Sequence, residues 1–176
     1  MKKTWKEVKS EVINLGFEKT SVFEKYKSSF YEAFNWAQTY MATTICPIHD
    51  RQIIVVENHN ADLSKIENAM MIESVTDSKG NIIKNISLED ISTLSDGQYT
   101  IRYKKYPEKL NDNNSENYEC EIDYGYANIL PYLVAYRLWL DDDISKAVMY
   151  WNTFDDMRVQ IQANGCEVKV YEGWGI

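Results

Sequence analysis

Between Ile129 and Leu140 the chain carries a single charged residue, Arg137, in a run rich in leucine, valine, tyrosine and tryptophan. Pro131 suits the first turn of a helix, where a missing N–H costs nothing. Asp141, Asp142 and Asp143 then break the run. Beyond them Ala147, Tyr150, Trp151, Phe154, Met157, Arg158 and Ile161 recur at helical spacing until Asn164-Gly165 supplies a stop. The pattern predicts a helical hairpin whose first helix is apolar on more than one side. Whichever side packs on the rest of the subunit, large side chains are left wanting cover, and that points to assembly. The aspartates read as a cap, accepting free amides of the following helix and meeting the positive end of its dipole. They lack the alternating spacing of a calcium loop.

The amino-terminal part is also helical by pattern. Thr4-Trp-Lys-Glu7 has the form of a capping box, followed by Trp5, Val8, Val12 and Leu15 on one stripe and Gly16 as a stop. Ser21-Val-Phe-Glu24 repeats the start signal for a longer helix striped by Phe23, Tyr26, Phe30, Ala33, Phe34, Ala37, Tyr40 and Met41, with Pro47 closing it.

From about Asp50 the period changes. Gln52 to Glu57 is a β-branched run, and Ala69 to Val75 leads through Asp77-Ser-Lys-Gly80 into Asn81-Ile-Ile-Lys84, a hairpin with glycine in the left-handed position. After a turn at Asp96-Gly97, Tyr99, Ile101 and Tyr103 alternate with Thr100, Arg102 and Lys104 as in a half-buried strand. Asn111 to Glu116 is a polar loop and Tyr118 to Ile122 a closing strand. The expected fold class is therefore α+β: a helical bundle from the N- and C-terminal helices with an inserted small antiparallel β unit. The expected divisions are helices over 1–47, the β insert over 48–122, the helical hairpin over 123–165 and an apolar tail over 166–176. In that tail Glu167 to Tyr171 is strand-like, either docking on its own β unit or adding to a partner's sheet.

Charge narrows the function. The net charge of −8 disfavours affinity for bare nucleic acid or an anionic membrane. The insert is the acidic part, with eight Lys/Arg against fourteen Asp/Glu over 45–122, and no segment forms a basic face. Cys46, Cys120 and Cys166 are too scattered for a disulfide framework or a zinc site, so a reducing compartment is expected. No run reaches the length of a membrane span, and no apolar stretch follows the first lysines as a leader would require.

Catalytic signatures are missing from the pattern. His49 and His59 sit ten residues apart in a loop-strand-loop region, outside any helix-borne metal spacing, and read as surface histidines. There is no nucleophile elbow, phosphate loop or dinucleotide fingerprint. The chain is read as no enzyme, with no cofactor and no metal. Tyr99, Tyr103, Tyr106 and Tyr118 could stack on sugars, but on alternating strands such rings more often form core and cross-strand pairs. Tyr132, Tyr136, Trp139, Trp151 and Phe154, with Tyr171 and Trp174 of the tail, are the candidate interface residues, since Trp and Tyr are favoured anchors between subunits.

Five stretches carry a resemblance: Thr4-Trp-Lys-Glu-Val8; Val75-Thr-Asp-Ser-Lys-Gly80; Asp96-Gly-Gln-Tyr99; Arg102-Tyr-Lys-Lys-Tyr-Pro107; and Leu130-Pro-Tyr through Asp143. Through them the whole chain resembles head–tail connector, or neck adaptor, proteins of tailed phages and prophages of Gram-positive bacteria. That resemblance implies a mainly helical virion structural protein that forms a homo-oligomeric ring on the portal vertex. Its partners would be further copies of itself, the portal protein, and tail or head-completion proteins, with DNA passing without specific binding and no membrane involved. It would be assembled in the bacterial cytoplasm and reside in the virion neck. The β insert departs from the smallest, all-helical connectors. Two other readings fit the residues: a carbohydrate-binding module of a phage or cell-surface assembly, and another tail-completion or baseplate component.

Overall fold

The computed structural model describes residues 2–16, 20–84 and 86–165. Its first helix, α1 (Trp5–Asn14), starts on the box written in the sequence. The Glu7 amide donates to Thr4 Oγ1 at 3.3 Å and the Thr4 amide to Glu7 Oε2 at 2.7 Å, so two otherwise orphaned donors are satisfied. Gly16 follows with φ +125°, a conformation that side chains other than glycine rarely adopt. Helix α2 (Thr20–Thr44) buries Phe30, Ala33, Phe34, Ala37 and Met41 as the stripe predicts. Tyr26 departs from it: the backbone is non-helical there (φ −114°, ψ 19°) and its ring is exposed.

The short α3 (Tyr124–Ala127) leads into α4 (Leu130–Trp139) and α5 (Ile144–Gly165). Asp143 caps α5 as expected, its Oδ1 accepting the Ser145 and Lys146 amides at 3.1 Å each. Tyr150 of α5 donates its hydroxyl proton to the Leu15 carbonyl at the end of α1. Helix α4 lies between α1, α2 and α5. Its apolar girth is thus explained inside one subunit, because three neighbours cover what a surface helix would leave bare. Leu130, Leu133, Val134 and Ala135 are wholly buried.

The sheet is antiparallel, in the order β2-β1-β5-β3-β4, from β1 (Ile48–Glu57), β2 (Asn60–Ala61), β3 (Ala69–Asp77), β4 (Ile82–Ile83) and β5 (Gly97–Lys105). Asn58 and His59 join β1 to β2 with φ of 51° and 58°, the paired positive values a two-residue hairpin requires. Gly80, with φ 87°, serves the β3–β4 turn. Strand β1 runs beside β5 over its first nine residues, but on its other margin β2 reaches only Val56 and Glu57. From Ile48 to Val55 that margin has no strand partner among the described residues. Asp50 partly closes it, with Oδ1 accepting the Arg51 amide at 2.7 Å and Oδ2 the Tyr103 hydroxyl at 3.2 Å.

One expected strand falls elsewhere. Tyr118 to Ile122 does not close the sheet; it lies along the amino terminus, where the Trp5 amide donates to the Tyr118 carbonyl and the Cys120 amide to the Lys3 carbonyl. Its alternation is real, since Tyr118, Cys120 and Ile122 are all buried, but they face the helices. The sheet proper therefore ends at Lys105, and 106–122 belongs with the helical part.

Two cores result that share no buried side chain. One joins α1, α2, α4 and α5 through Trp5, Phe34, Met41, Leu133 and Phe154; the other lies under the sheet, where Ile54, Val75, Ile91, Ile101 and Tyr103 are covered by the connections before β3 and β5. Burial pushes the Cys46 and Cys120 thiols up to about 12 and raises the Tyr118 phenol as well. All three stay neutral in the fold at a pH where the unfolded chain ionises them. Their contribution is complete below the ordinary thiol value of about 9 and is lost as pH climbs towards 12. The melting temperature should accordingly fall steadily over that window, with Cys46→Ala and Cys120→Ala variants showing a shallower decline; an unchanged slope would refute the account.

Candidate assembly surface

Three of the aromatic residues picked out by sequence, Tyr136, Trp151 and Phe154, converge with Trp36 and Tyr40 on one seam inside the subunit. Trp36 stacks on Tyr40 with centroids 5.6 Å apart, Tyr136 meets Trp151 at 5.1 Å, and Trp151 meets Phe154 at 5.7 Å. Tyr40 closes the set against Trp151 at 6.0 Å and Phe154 at 6.5 Å. Offset and edge contacts of this kind stabilise the junction of α2, α4 and α5 beyond the area they bury. Arg137 lies over the Trp36 ring, 5.8 Å from its centroid, which holds that one charge at the seam's edge.

Phe154 is thereby corrected as an interface candidate: it is fully enclosed and offers nothing to a partner. Tyr132, Tyr136 and Trp151 are half-buried against the same core. Trp139 is half-buried too, with the Lys146 ammonium 3.9 Å above its ring, at a cleft of about 500 Å³ that also reaches Phe30, Trp36, Asp141 and Asp142. Tyr171 and Trp174 lie outside the described residues, as does the strand-like piece from Glu167.

The exposed apolar surface lies on other residues. On α5, Ile144, Val148, Met149 and Val159 are each about half exposed or more. At 100° per residue Ile144, Val148 and Val159 fall within about 60° of one another, on an arc centred roughly 130° from the one that holds Tyr150 and Phe154. In the sequence the row is hard to see, because the aromatic stripe dominates the helical pattern and Asp155 lies on the same line between Val148 and Val159.

A second surface is the outer face of the sheet. Ile53 and Val55 of β1, Met71 of β3 and Ile82 of β4 are exposed there, with Thr100 beside Ile53 and Gln98 beside Val55. Further along, Arg51 stands directly opposite Arg102, and His49 opposite Lys104. Glu73 is shared by His49 Nδ1 at 2.9 Å and Lys104 Nζ at 4.0 Å, while the two arginines hold no ion pair among the described residues. A basic face thus exists where none was expected. Its members come from strands some fifty residues apart, so a charge count along the chain averages them with the acids of the loops.

The tyrosines weighed as a sugar platform do not share a face. Tyr99 and Tyr103 turn into the sheet core, Tyr118 joins the helical core, and Tyr106 alone is exposed. Among the described residues no group of three His, Cys, Asp or Glu side chains is placed to hold a metal ion, and no helix is long and apolar enough to cross a membrane. No protein-family model matches the chain, and no curated protein matches it.

Proposed function

We propose that this protein is a non-enzymatic structural subunit that assembles with further copies of itself into a ring, and that the ring is a head–tail connector seated between portal and tail in a phage particle. The observation that carries the ring is the aliphatic row of α5, solvent-facing while the aromatic seam of the same helices is already satisfied. A row spanning about 23 Å of helix is long enough to serve as a docking edge. A closed ring of identical subunits needs two different, complementary faces on each copy, and the fold offers the row and the outer sheet face at separate places. The phage setting rests on the resemblance of the amino-terminal box, the insert and the closing hairpin.

Negative-stain electron microscopy of the full chain, alone over a range of concentrations and mixed with its portal protein, tests the reading. Annular particles of uniform diameter are expected in at least the mixture. Monomers that leave the portal undecorated would overturn it.

A further inference from the structure

Resting on that ring reading, we infer that the outer face of the sheet of one copy receives the exposed row of α5 and the acidic turn before it from the next copy. The two surfaces match in three respects.

The first is chemical order. Across the sheet the sequence of rows is basic, then apolar: Arg51 and Arg102, then Ile53 with Thr100, then Val55 with Gln98. Along the hairpin it is acidic, then apolar: Asp141 and Asp142, then Ile144, then Val148. Both aspartates are exposed, and neither caps α5, since that task falls to Asp143. Laid against each other in this order, carboxylates meet guanidinium groups and aliphatic side chains meet aliphatic side chains.

The second is spacing. With the aspartates set against the arginines, Ile144 and Val148, about 6 Å apart along the helix, meet Ile53 and Val55, about 7 Å apart along the strand, and the remainder of the helix continues past the end of β1.

The third is an electrostatic cost in the lone subunit. Like charges directly opposite on neighbouring strands repel, and Arg51 and Arg102 form such a pair; Asp50 and Glu73 line the same hollow, but neither arginine is held in an ion pair among the described residues. An incoming pair of aspartates turns this repulsion into two charge-assisted contacts. Arginine suits the task because its planar fork can take a carboxylate bidentately. In a chain of net charge −8, a local excess of cations also selects its own acidic segments over other faces of its sibling.

Charge reversal tests this pairing. The variant R51E/R102E and the variant D141K/D142K change only exposed side chains, and far-ultraviolet circular dichroism with a thermal melt shows whether each still folds as the wild type does. Sedimentation velocity on the full chain, over a concentration series, should show each variant alone needing at least tenfold more protein than wild type to oligomerise. Mixing the two in equal amounts should restore assembly, because the reversed sheet of one then faces the reversed turn of the other and the unaltered surfaces still match. A merely destabilised fold would not be rescued by mixing. Wild-type oligomers that persist in both variants would overturn the pairing while leaving the ring intact. Wild-type monomers at every concentration, with the portal left undecorated, would remove both. Duplex DNA bound by wild type and lost in R51E/R102E, with oligomers unaffected, would reassign the basic face to nucleic acid and overturn the pairing.

Discussion

Phe154→Ala is expected to destabilise the protein by about 3–5 kcal/mol, the loss that follows from truncating a wholly buried aromatic ring. The ring is fully buried and touches Tyr40 and Trp151, so its removal takes contacts from α2 and α5 together. Little relaxation is available, because the seam is built of rigid aromatic rings that do not flow into a void. A urea titration followed by tryptophan fluorescence measures the effect, since Trp36 and Trp151 report directly on the seam. A change below about 1 kcal/mol would mean that the three helices do not depend on this junction. Val148→Ala, nearly two turns away on the exposed side, removes only surface and should stay within about half a kcal/mol in the monomer.

The second large effect concerns the other core. Ile101→Ala should cost about 2–5 kcal/mol of sheet stability, because its side chain is wholly buried beneath β5 between Val75 of β3 and Gln52 of β1. Its informative part is where the loss is felt. Since no buried side chain is shared between the two cores, amide hydrogen exchange should accelerate through β1, β3 and β5 while α4 and α5 keep their protection. Equal acceleration in helices and sheet would show that the two parts unfold as one unit. Phe154→Ala offers the converse, with exchange rising first in the helices.

Local signals in the sequence translated well. The Thr4–Glu7 box, the Asp143 cap, the glycine at 80 and the alternation of Tyr99, Ile101 and Tyr103 each depend on a few neighbouring residues, and each stands in the fold as read. Partnership was harder to read. The alternation over Tyr118 to Ile122 correctly marks a segment with one buried side, yet a period of two does not say which surface does the burying. The apolar girth of α4 invited the same error in the opposite sense, because a helix with no polar side is equally at home inside a bundle or between subunits. For the candidate surface, Tyr136 and Trp151 belong mainly to an internal junction, whereas Trp139 lines a cleft beside it. Ile144, Val148, Val159 and the Arg51–Arg102 pair needed coordinates, since only a solved helix phase and strand register place them side by side.

The margin of β1 that no described strand covers carries its own consequence for a molecule made in many copies. An unsatisfied row of main-chain donors and acceptors invites any extended polypeptide to stitch itself on, and uncontrolled stitching yields fibres instead of closed particles. Asp50 stands as a sentry on that row: by occupying the Arg51 amide with its own carboxylate, it removes a rung from the ladder a stray strand would climb. The same carboxylate is anchored by the Tyr103 hydroxyl, so the safeguard is tied to the interior of the sheet and persists for as long as the sheet itself is folded.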